Sequence, residues 1–73
     1  MIKTYFPTCN IELIADNPCR GIKSQKVTLY KEEQFTIVNK QKDMFNADVE
    51  YWMNPDCWVL KITPDILEKI TEG

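Results

Sequence analysis

Residues 9–15 alternate, with Cys9, Ile11, Leu13 and Ala15 on one face and Asn10 and Glu12 on the other. A period of two is that of a strand buried on one side and wetted on the other. It commits the chain to a sheet that must cover at least one face. With 73 residues to do it, only one core can be built, and folding buries about 60% of the surface of the unfolded chain. Gain from burial and loss of chain entropy nearly cancel at that size, so the fold has to be economical and forms a single domain over residues 1–73.

Further strands are expected downstream. The triplet Asp16, Asn17 and Pro18 breaks the first one, and Gly21 lies in a polar loop running to about Lys26. Residues 27–31 and 34–39 are rich in β-branched and aromatic side chains, as paired strands are. A four-residue loop between them would pair Tyr30 with Phe35. Glu32 and Glu33 suit a two-residue turn badly, because neither favours positive φ. A second hairpin is expected from residues 49–53 and 57–62, turning at Asn54, Pro55 and Asp56, since proline presets φ there. A short helix starting at Asp43 competes with the first of these strands, and aromatic content favours the strand.

Near the C-terminus, Thr63 is a good N-cap, Pro64 fits the first helical position and Asp65 complements the helix dipole. A short helix near 64–71 follows, with Ile66, Leu67 and Ile70 as its apolar stripe, docked on the sheet. The expected class is mainly β with one C-terminal helix (α+β). With sequential antiparallel pairing of about five strands, the plan resembles a small antiparallel sheet or SH3-like barrel. The resemblance is one of architecture, not of motif.

Several functions are disfavoured. The chain has no histidine, one serine (Ser24) and two glycines, so it cannot build a Ser-His or Cys-His pair, a dinucleotide fingerprint or a P-loop from its own residues. An enzyme is not expected, and neither is a cofactor. Cys9, Cys19 and Cys57 lack short metal-ligand spacing, so no metal site is expected. Residues 1–7 lack a long apolar region, so no secretory leader or membrane association is anticipated. An odd cysteine count without a leader fits a reducing, cytoplasmic setting. There the three thiols are expected as small apolar core residues, with Cys9 and Cys19 the pair that could oxidise.

What remains is the surface. Residues 20–42 carry a net +4 and residues 43–73 a net −5. In the acidic half, Asp43, Asp48, Glu50 and Asp56 accompany Phe45, Tyr51, Trp52 and Trp58 with no intervening base. If Val49, Tyr51 and Met53 point inward, Trp52 points to solvent, and Trp58 is buried with Leu60 and Ile62. The leading expectation is a non-enzymatic module that binds a protein partner through Trp52, Tyr51, Asp48, Glu50 and Asp56, with the aromatic anchor central and the carboxylates steering approach. A small inhibitor or regulator of the phage or mobile-element type, occluding a partner's surface, would fit this description. A second copy of the chain is a companion partner. The alternative is a nucleic-acid-binding β-barrel using Lys23, Lys26, Lys31, Lys40 and Lys42 on phosphates, with Tyr30 or Phe35 stacking on bases.

Overall fold

The computed structural model describes residues 2–73. Eight strands run as β1 (Lys3–Pro7), β2 (Ile11–Asn17), β3 (Ile22–Leu29), β4 (Phe35–Ile37), β5 (Asn39–Lys42), β6 (Glu50–Met53), β7 (Val59–Ile62) and β8 (Ile70–Glu72). A short 3-10 turn covers Pro18–Arg20, and one α-helical turn, α1, spans Pro64–Leu67. All pairings are antiparallel, and they form a five-stranded sheet ordered β3-β2-β7-β6-β5 and a three-stranded sheet ordered β4-β1-β8. The mainly-β class is as expected. A closed barrel does not form among the described residues: β3 and β4 are the unpaired edges of different sheets.

The alternation first read in the sequence is realised in β2, where Ile11, Leu13, Ala15 and Asn17 are buried and the residues between them exposed. These side chains meet Tyr5 and Ile37 of the small sheet and Trp52, Leu60 and Ile62 of the large one, so the core lies between the two sheets. Tyr5 stands at its centre, its ring centroid 4.8 Å from Trp52 and 5.9 Å from Phe35. The chain crosses from one sheet to the other at Val38, whose N–H donates to the Met53 carbonyl at 2.9 Å.

The second expected hairpin is present, with Trp52 opposite Leu60 and Met53 opposite Val59. The Asn54 carboxamide oxygen accepts the N–H groups of Asp56 and Trp58, and the Cys57 N–H returns to the Asn54 carbonyl. Cys57 completes this three-residue loop at φ 71°, a left-handed position that usually holds glycine. The first expected hairpin is absent. Residues 27–29 pair with β2, not with 35–37, which pair with β1. The segment between them turns toward β1 instead: the Glu32 N–H donates to the Pro7 carbonyl at 3.0 Å and the Glu33 N–H to the Tyr30 carbonyl at 3.1 Å, in a turn that places Glu32 at φ 64°.

At the C-terminus, Thr63 caps α1 as expected, its hydroxyl accepting the Ile66 N–H at 3.4 Å. The helix is shorter than expected. Residues 70–72 form β8 instead, paired with β1 through Phe6 opposite Thr71, which gives the backbone groups on that edge of β1 their partners. Among the described residues no helix is long and apolar enough to cross a membrane.

Cys19 and Cys57 are joined by a disulfide, and Cys9 is free. The expectation of three core thiols is corrected, as is the suggested pairing of Cys9 with Cys19. The bond became possible because β2 and β7 are neighbours. Their pairing brings the turn after β2 (Pro18–Arg20) beside the turn between β6 and β7, with Cα atoms 6.1 Å apart. The same junction is held by Asn17, fully buried, whose amide donates to the Asp56 carbonyl at 3.3 Å. A disulfide also removes the cysteine count as support for a reducing compartment.

Candidate functional site

The five residues expected to form one partner-binding surface are dispersed. Trp52 is 1% exposed and faces the core, so it cannot anchor a partner; the expected orientation of this strand is inverted. Two contacts make its burial favourable. The indole N–H donates to a Glu50 carboxylate oxygen at 2.8 Å, and the Lys40 ammonium lies 4.1 Å from the Trp52 ring centroid and 4.5 Å from that of Tyr5. Glu50 shares this inner face and is half-buried, while Tyr51 points to the opposite face. Asp48 and Asp56 lie beyond opposite ends of β6, in different loops. Trp58 is half-buried at the edge of the core.

The basic candidates are also divided. Lys23 and Lys26 lie on β3, and Lys40 and Lys42 on β5, the two outer strands of the large sheet with three strands between them. Measured along the sheet, that is up to about 19 Å. Lys26 pairs with Glu12 at 3.2 Å, and Lys40 is engaged with the aromatic rings. Lys31 stands in the loop after β3. Lysines on both edges of one sheet protect it from further strand pairing.

One surface feature stands apart. The loop joining β5 to β6 carries Met44 and Phe45 at its tip, 89% and 95% exposed, the two most exposed large apolar side chains among the described residues. The loop is well tied beneath them. One oxygen of Asp43 accepts the N–H of Phe45 at 2.7 Å and of Asn46 at 3.1 Å, and the other accepts the Tyr51 hydroxyl at 2.7 Å. The Asp43 N–H donates to the Val49 carbonyl, the Val49 N–H to that of Asn46, and the Asp48 N–H to the Asn46 side chain. Val49, at the end of the loop, is buried. The backbone N–H of Phe45, and then the Tyr51 hydroxyl, hold the Asp43 carboxyl below its ordinary value of 3.8. Hydrogen bonding to Asp43 holds the Tyr51 phenol above 10.0.

No group of three or more Cys, Asp or Glu side chains among the described residues is placed to hold a metal ion. Sequence reasoning had counted Phe45 among the aromatic cluster without marking it as the exposed member. A signal for it existed: Asp43 and Asn46 flank the pair, and both residue types favour side-chain-to-backbone bonds in tight turns. Comparison with protein-family models, curated proteins and solved structures finds no match to this chain.

Proposed function

We propose that this chain is a non-enzymatic protein-interaction module whose contact element is the β5–β6 hairpin tip, with Phe45 and Met44 as anchors in place of Trp52. The supporting observation is the near-complete exposure of two adjacent large apolar side chains on a loop fixed by Asp43. Holding such side chains in water is unfavourable, and a loop already ordered loses little entropy when it docks. Flanking carboxylates at Asp43 and Asp48 favour a protein pocket with a basic rim. They disfavour anionic lipid or nucleic acid at this point. A small inhibitor or regulator that occludes a partner's surface is one form the role would take.

The test compares proteins retained from source lysate by the parent chain and by Phe45→Ser, each treated with nuclease. A protein held stoichiometrically by the parent and weakened about thirtyfold or more by the substitution supports the proposal. Equal retention by both chains refutes it. Retention that nuclease and modest salt abolish would support the lysine-based nucleic-acid alternative instead.

A further inference from the structure

The five-stranded sheet is joined unevenly. Strands β2 and β3 pair from Ile11 opposite Leu29 to Asn17 opposite Ile22, and β6 is paired along its whole length with both β5 and β7. Between these two halves the ladder is short: β2 meets β7 through Ala15 opposite Leu60 and Asp16 opposite Val59. The Cys19–Cys57 bond and the Asn17 hydrogen bond to Asp56 lie just past the end of that ladder, where they continue the seam. The two ends of the disulfide are unlike. Cys19 is exposed, in a turn with no buried residue. Cys57 is half-buried, in a loop whose hydrogen bonds to Asn54 do not involve its sulfur. Access governs thiol–disulfide exchange, and exposed disulfides are the labile ones.

We propose that this disulfide is a redox-operated latch across the β2–β7 seam, opened at Cys19 by a small thiol such as glutathione. The incoming thiolate attacks Cys19 Sγ and forms a mixed disulfide there. The Cys19–Cys57 bond breaks, and Cys57 leaves as a thiolate that takes up a proton. A second thiolate then displaces Cys19 from the mixed disulfide. Two thiols are thereby oxidised to one disulfide, and the protein's bond is reduced to two thiols. With the latch open, the seam is left with its short ladder, the Asn17 bond and the core packing, so it opens locally before either half comes apart. Glutathione disulfide closes the latch by the reverse steps. The latch stands apart from the Phe45 tip, which lies beyond the other end of β6.

The test uses the parent chain near its stability maximum, at about 15 °C. Reduction by glutathione, sampled by acid quench and mapped by mass spectrometry, should place the mixed disulfide on Cys19. Dilute urea should leave the rate nearly unmoved, whereas reduction that waits for global unfolding would speed up roughly fivefold per molar. In hydrogen exchange of the reduced chain, the amides shared by β2 and β7 should lose at least tenfold more protection than those shared by β5 and β6. Glutathione disulfide should restore the original pattern. Resistance to glutathione overturns the proposal, as does a mixed disulfide mapped to Cys57 or a rate that climbs with urea. Loss of protection spread evenly over the sheet also overturns it, since the seam would then be no weaker than the rest.

Discussion

Removing the Cys19–Cys57 bond should bring this domain close to unfolding. The bond closes a loop with a sequence separation of 38 residues. Chain-entropy arithmetic for that length gives about 4 kcal/mol of stabilisation at 25 °C, through restriction of the unfolded chain. A 73-residue domain has roughly 4–11 kcal/mol in total, so the loss is a large fraction of the whole. With an unfolding entropy of about 2.1 cal/mol/K per residue, it should lower Tm by roughly 25 °C. The backbone at Cys57 refines the expectation. Cys19→Ser and Cys57→Ser should lose similar amounts, because both break the same bond. Cys57→Gly should lose about 1 kcal/mol less than Cys57→Ser, since φ 71° is strained for any side chain and open to glycine. Thermal unfolding followed by far-UV circular dichroism, with and without a dithiol reductant, measures all four chains. Counting thiols in the denatured, unreduced parent measures the bond itself, with one reactive thiol expected from Cys9. Three reactive thiols, or a Tm indifferent to reductant, would refute the reasoning. Equal losses for Cys57→Gly and Cys57→Ser would refute the part that concerns backbone strain.

Trp52→Ala removes the largest fully buried side chain and its contact with Tyr5, and should cost about 3–5 kcal/mol, enough to unfold much of the population. A melt within a few degrees of the parent would show that Trp52 does not face the core. The hairpin tip should respond to pH at both ends of the scale. Asp43 has its folded value below 3.8, so its hydrogen bonds stabilise the loop above 3.8 and that contribution disappears as pH falls through the folded value. Tyr51 has its folded value above 10.0, so its contribution is complete below 10.0 and disappears as pH rises through the folded value. Carbon-detected NMR titration of the two side chains checks both signs, and an Asp43 midpoint at or above 3.8 would contradict the loop geometry.

Several features of the fold were local enough to be read from the residues. Strand β2 declared itself by its period, because adjacent side chains on a strand point to opposite faces whatever lies above or below. Asn54, Pro55 and Asp56 specified a turn, and Thr63 with Pro64 specified where α1 begins, since each acts within a few residues along the chain. The mainly-β class follows from these. The face of β6 was also within reach. Once the three-residue loop pairs Asn54 with Trp58, the register sets Trp52 opposite Leu60, on the side where Leu60 and Ile62 are buried. Alternation alone pointed the other way because Val49, Tyr51 and Met53 outnumber Trp52. Val49, however, precedes the strand and is buried out of phase with it.

Tertiary structure decided the rest, because the deciding contacts join residues far apart in sequence. Composition marks residues 22–29 as strand-forming in part, but only the assembled sheet order gives them β2 as neighbour and leaves β4 to β1. The adjacency of β2 and β7 chose Cys57 over Cys9 as the partner of Cys19. The exposure of Met44 and Phe45 has the same origin. An apolar side chain is buried only if some other element passes over it, and in this fold none of the described residues covers the β5–β6 tip. Periodicity records which residues can face a core together, whereas the position of that core depends on pairings that no local pattern encodes.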